Sequence, residues 1–145
     1  MKSVSKRINF KKSLLVIVAL LFTMSLTGCG AAPLSDAFVE EDVIAKAKET
    51  IEIVNTKDYE VISTLLREDL RGDLSAEDWE TAIGAMLTDA GAFTEYSTIV
   101  TVGQTDKATN TEYAVVVVVC KYENNNITYT LSYDTDLNLI GLYMK

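Results

Sequence analysis

The sequence predicts an α+β fold: three N-terminal helices packed on a curved four-stranded antiparallel meander sheet. Two observations carry this. Before Gly91 apolar residues recur at three- and four-residue spacing, the period of a helix with one buried face. After Gly91 the period becomes two, β-branched and aromatic residues dominate, and no further helical pattern follows.

The first helix is expected over 37–54, with Val39, Val43, Ala47, Ile51 and Val54 on one face and Asp36 as its N-cap. Asn55-Thr56-Lys57 breaks it. Asp58 caps a second helix that buries Tyr59, Ile62, Leu65 and Leu66 and ends at Arg71-Gly72-Asp73. Ser75, with Asp78 three residues on, has the spacing of a capping box. The third helix places Trp79, Ile83, Met86, Leu87 and Ala90 in one stripe and stops at Gly91.

Strands are expected at 93–102, 111–122, 127–133 and 138–144. The short loops between the last three require antiparallel neighbours. Val115 to Val119 is apolar on both faces, so the second strand is expected to be central and covered on both sides. A loop at 123–126 pairs Tyr122 with Ile127, Cys120 with Tyr129, Val118 with Leu131 and Val116 with Tyr133. That face, extended by Ile140, Leu142 and Met144, meets the helices. Val115, Val117, Val119, Leu139 and Tyr143 fall on the other face with Thr128, Thr130 and Ser132. A half-apolar outer face is a candidate homodimer surface. The register of strand one is open: either Glu95 and Ser97, or Tyr96 and Val100, face the core.

The N-terminus is organised differently. Lys2, Lys6, Arg7, Lys11 and Lys12 precede the apolar run Leu14 to Phe22, and small residues follow. That is the order of a secretory signal, and the run is shorter than the ~20 residues that span a bilayer. Leu26-Thr27-Gly28-Cys29 resembles the lipobox of bacterial lipoproteins. The resemblance implies cleavage between Gly28 and Cys29 and a diacylglyceryl group on Cys29. The expected organisation is a signal peptide at 1–28, a lipidated Cys and short tether at 29–36, and one domain at 37–145. The expected location is the extracytoplasmic side of the cell membrane.

After that cleavage 8 cations and 21 carboxylates remain, a net charge of −13 against −8 for the whole chain. Such a surface repels nucleic acid and anionic headgroups. Cys120 has no intrachain partner once Cys29 is lipidated, and reads as a small buried apolar residue.

Several stretches resemble a family of small bacterial lipoproteins that carry a domain of unknown function. They are Asn55-Thr56-Lys57-Asp58-Tyr59, Asp69-Leu70, Gly91-Ala92-Phe93, Val115 to Cys120, and Ile140-Gly141-Leu142-Tyr143. The order of helices then meander is similar to the nuclear transport factor 2-like (cystatin-like) superfamily. That resemblance implies a cone with a cavity between helices and sheet, often paired through the sheet, and no particular activity.

The chain contains no histidine. This removes histidine-based triads and dyads and the usual zinc sites. No phosphate-binding glycine loop or nucleophile elbow is present. Asp134-Thr135-Asp136-Leu137-Asn138 starts like a calcium loop, but Leu139 stands where the essential glycine belongs, so it reads as a hairpin turn. No cofactor and no metal are expected. The candidate pocket residues are Glu95, Trp79, Tyr129 and Tyr133, with Glu95 able to act as an acid or base only if buried. The expected function is a lipid-anchored, non-catalytic module binding a small ligand or a partner protein. The alternatives are a self-associating structural domain and a carboxylate–tyrosine isomerase or dehydratase.

Overall fold

The computed structural model describes residues 32–145. The signal, cleavage and lipidation positions, Gly28 and Cys29 included, lie outside the described residues. Among the described residues four helical segments, α1 (Glu40–Asn55), α2 (Tyr59–Ile62), α3 (Glu68–Arg71) and α4 (Ala76–Ala90), precede four strands. The strands β1 (Phe93–Asp106), β2 (Thr111–Tyr122), β3 (Asn126–Tyr133) and β4 (Leu139–Met144) form one open antiparallel sheet in sequence order.

Helix α1 starts later than expected. Ser35 and Phe38 close a turn, so Asp36 lies outside the helix and Val39 is its N-cap, with no side-chain cap. Glu40, Glu41 and Asp42 in the first turn offset the positive end of the helix dipole instead. The buried stripe is Val43, Ala47, Thr50, Ile51 and Val54. Each fully buried Val or Ile contributes roughly 1.5–3 kcal/mol.

The expected second helix is two single turns. Asp58 caps α2 by accepting from the Val61 amide. The hydroxyls of Ser63 and Thr64 then bond back to the carbonyls of Glu60 and Val61 at 2.7 Å each. Such back-bonding competes with helix continuation. Leu66 leaves the helical path to bridge Leu139, and the Arg67 amide donates to the Leu139 carbonyl at 2.8 Å. Before α4, Ser75 and Asp78 form the capping box.

In the sheet, the β2–β3 register differs from the expected one by two residues. Cys120 pairs with Ile127, Val118 with Tyr129, Val116 with Leu131 and Ala114 with Tyr133. The shift preserves parity, so the same residues face the helices. Its cause is a turn centred one residue earlier, closed by the Tyr122 amide on the Asn125 carbonyl and tied to the end of α4 by Glu123 and Asn124.

At β3–β4 a bulge changes parity. Ser132 pairs with Gly141 but Tyr133 pairs with Leu139, leaving Ile140 as the extra residue. Leu139 is therefore 4% exposed in the core, not on the outer face. Ile140 and Leu142 are only half-buried, while Met144 is buried as expected.

Two irregularities in β1, between Phe93 and Glu95 and between Tyr96 and Thr98, set its inward residues. Phe93, Tyr96 and Ile99 pack on the core, and Val100 points out at 47% exposure. Neither regular register for this strand is correct. The outer face carries Val100, Val115, Val117 and Val119 beside Thr128, Thr130 and Tyr143, the last 49% exposed.

Candidate functional site

The two motifs Asn55–Tyr59 and Gly91–Phe93 meet at one end of the sheet. Asn55 is the last residue of α1, and Lys57 reverses the chain in the left-handed region at φ 57°. Gly91 ends α4 at φ 80°, a conformation only glycine adopts readily. A Cβ on Gly91 would also overlap the Glu123 carboxylate, 2.7 Å away. That carboxylate accepts from the Ala92 amide at 2.9 Å. Asn124 donates its amides to the carbonyls of Ala90 and Asp89, each at 3.0 Å. The β2–β3 turn thus caps the orphan carbonyls of α4 and fixes where β1 begins.

These connections leave an open cleft of about 540 Å³ lined by Asn55, Lys57, Leu87, Gly91, Ala92, Phe93 and Tyr122. Its aromatic wall is Phe93, whose ring stands edge-on to Tyr122 at 5.8 Å and tilted to Tyr96 at 4.8 Å. The Lys48 ammonium lies 5.3 Å from the centre of the Tyr96 ring. Beneath the wall runs a relay of hydroxyls. Tyr122 donates to Asn55 Oδ1 at 2.6 Å and lies 2.6 Å from the Tyr129 hydroxyl. A phenol carries one proton, so Tyr129 is the donor to Tyr122.

Burial sets the protonation of this region. It raises Tyr122 against the opposing hydrogen bond with Tyr129, and it raises Tyr129 and Tyr133. Tyr96 is pushed up to about 12 by burial and then by Glu52, and the Cys120 thiol to about 12 by burial. These groups are neutral donors and acceptors near neutral pH.

Each keeps its proton in the fold after its unfolded counterpart, ordinarily at 9 for the thiol and 10 for a phenol, has ionised. The stability they contribute is full below about pH 9 and is lost as pH rises through their folded values. The denaturant midpoint should therefore fall from about pH 9 upward. Phenolate absorbance from the buried tyrosines should appear only with unfolding. Titration of all 7 tyrosines in a still-folded chain would contradict this.

The expected pocket residues are dispersed. Tyr129 lies under the cleft, fully buried. Tyr133 is fully buried further along β3, where its hydroxyl meets Thr50 at 2.8 Å and the Lys46 carbonyl at 3.3 Å and pins α1 to the sheet. Trp79 is a core residue at 9% exposure and does not line the cleft. Glu95 is not a pocket acid: its side chain is 59% exposed and paired with Lys121 at 2.6 Å. That hydrogen bond, and the charge of Lys121, lower the Glu95 carboxyl from its usual value. The β1 irregularities turn it outward.

Asn55 and Phe93 are lining residues that periodicity did not single out, whereas Leu87 fell in the third-helix stripe and Tyr122 on the inward strand face without being assigned to a pocket. The signal that could have tied Asn55, Phe93 and Tyr122 to one site was their position at element ends: Asn55 and Phe93 in short motifs, and Tyr122 before the turn. Asp134, the buried carboxylate, belongs to the β3–β4 turn and not to the cleft. Among the described residues there is no cluster of three or more metal-ligating side chains, and no helix is long and apolar enough to cross a membrane.

Among curated proteins, none matches this chain. The NMR structure of a protein from Ruminococcus gnavus ATCC 29149 is similar, with a TM-score of 0.67 at 34% sequence identity. The match covers 79% of this chain and 97% of that one. Residues 47–142 match the family model described as protein of unknown function (DUF3887), and the chain belongs to that family.

Proposed function

We propose that this protein is a lipid-anchored, extracytoplasmic binding module whose ligand or partner enters the Asn55–Tyr122 cleft. The observation that carries the binding reading is the composition of the cleft. It joins an apolar wall, Leu87 and Phe93, to an amide and a phenol already ordered by hydrogen bonds, with one cation, Lys57, and no carboxylate in its lining. Concave sites with an apolar body and few fixed polar groups suit binding. The raised tyrosines favour donation of hydrogen bonds over base catalysis. The order of helices followed by a meander supports a nuclear transport factor 2-like reading, here opened at one end. The net charge of −13 disfavours nucleic acid as a partner.

Two measurements test this. Cys29→Ser should abolish acyl labelling and release the chain from membranes; unchanged labelling and retention would reject the anchor. A melting-temperature screen of small amphipathic anions should give hits that Phe93→Ala loses. Hits indifferent to Phe93→Ala would place binding elsewhere, and a screen with no shift counts against the cleft.

A second reading, self-association through the outer sheet face, is favoured by the exposure of Val100 and Tyr143 around Val115, Val117 and Val119. Leu139 takes no part, since it is buried in the core. Sedimentation should then show a dimer that Val117→Lys dissociates. A wild-type monomer at high concentration would end this reading.

A further inference from the structure

We infer that the tether is a docked strap that orients the domain on its membrane, with the Asn55–Tyr122 cleft turned away from the bilayer. The inference rests on the proposed lipid anchor at Cys29. It starts from Gly103, inside β1 and paired with Ala114. The Gly103 amide donates to the Ala32 carbonyl at 2.9 Å, so the chain just after the anchor is hydrogen-bonded to the first strand. A Cβ on Gly103 would overlap the Pro33 carbonyl oxygen, and Leu34 Cα lies 3.2 Å from the same point. Glycine is what permits this approach. Leu34 and Phe38 pack against the core, and the Phe38 amide closes a turn on Ser35 at 3.0 Å. The segment is held at both ends.

Covalent reach then limits the pose. Three peptide steps lead from Cys29 to Ala32, a span of at most about 11 Å. The strap therefore holds the Gly103 end of the β1–β2 ladder close to the acyl chains. The cleft is at the other end, where Phe93 pairs with Tyr122. Eight residue steps along β2 lead from Ala114 to Tyr122, about 27 Å at the rise of a strand. Lying flat would bring a strongly acidic domain against the membrane, and an anionic surface resists this. The Lys107–Asn110 turn, beyond Gly103, faces the headgroups; the cleft faces outward, toward a ligand or partner in the aqueous space.

The test uses the acylated protein in phosphatidylcholine–phosphatidylglycerol vesicles containing a lipid with a nitroxide on its headgroup. A fluorophore is placed at Ala108→Cys or at Asp89→Cys, both exposed positions. Cys120 is buried and its thiol is raised to about 12, so it stays unlabelled. Quenching should be several-fold stronger at position 108 than at 89. Equal or inverted quenching overturns the inferred pose. Gly103→Ala, which forces the strap off β1, should shrink the contrast; an unchanged contrast would show that the strap does not set the pose. The mass of the N-terminal peptide separates the two claims. No acyl mass removes the anchor, and the pose with it. An acylated chain with equal quenching removes the pose alone.

Discussion

Asp134→Ala is expected to lower unfolding stability by about 2–3 kcal/mol, the order of a lost charged hydrogen-bond acceptor in a mostly buried site. The Asp134 carboxylate accepts from Arg67 Nη1 at 2.8 Å, from the amides of Asp136 and Asn138 at 3.0 and 2.8 Å, and from Asn138 Nδ2 at 3.1 Å. It thereby holds the β3–β4 turn and joins it to the α2–α3 connection. Arg67 also pairs with the exposed Asp69 at 2.7 Å, so its charge keeps one partner in the variant. Asp134→Asn keeps one acceptor oxygen and should fall between wild type and Asp134→Ala. Equilibrium unfolding in denaturant measures both, and a loss under about 0.5 kcal/mol for Asp134→Ala would contradict the role given to the carboxylate.

The same group has an acid signature. Burial alone would raise the Asp134 carboxyl, but Arg67 and the amides of Asn138 and Asp136 together hold it below the usual range. A depressed carboxyl contributes stability that is present above its unfolded value of 3.8 and is lost as pH falls through the folded value. The Asp134→Ala chain should lose less stability than wild type between about pH 4 and the acid limit.

Tyr122→Phe is expected to cost about 1–3 kcal/mol, because it strands two groups at once. Asn55 loses its donor, and the Tyr129 hydroxyl, at 0% exposure, loses its acceptor. Adding Tyr129→Phe removes the second stranded group. The double variant should therefore be less damaged than the sum of the singles, with a coupling of about 0.5–3 kcal/mol. Strict additivity would mean that the two hydroxyls do not act as a relay. The floor of the cleft would then be simple packing.

Local rules made much of the molecule legible in the sequence. The Ser75–Asp78 box, the Asp58 cap and the Gly91 stop depend on side chains within one turn of the residues they satisfy, and all three form. The interior position of β2 in the sheet followed from Val115 to Val119, but cover on both faces did not: Val116 and Val118 are buried, while Val115, Val117 and Val119 stay half-buried on the outer face. The alternation of β2 and β3 survived a register shift of two because parity has period two.

The cleft was not legible for a related reason. Its residues come from the ends of α1, α4, β1 and β2, and no periodicity joins Asn55 to Leu87, Phe93 and Tyr122. The orientations of Glu95 and Leu139 turned on irregularities, two in β1 and one at Ser132–Tyr133, where one extra residue reverses every side chain beyond it. Such bulges arise from contacts made by distant chain. Leu139 is drawn inward by Leu66 and Arg67, and the β2–β3 turn is shifted by the end of α4.

By itself, then, the sequence determined the class of the fold, the order of its strands, the caps at Asp58 and Ser75 and the acidic balance of the domain. Each follows from spacing within a few residues or from a count of charges. Tertiary structure alone decided which strand residues face inward past a bulge, where the cleft opens, and that the tether at Ala32 is bonded to Gly103. Those outcomes depend on groups far apart in the chain competing for the same backbone partners, and that competition is resolved only when the chain is packed.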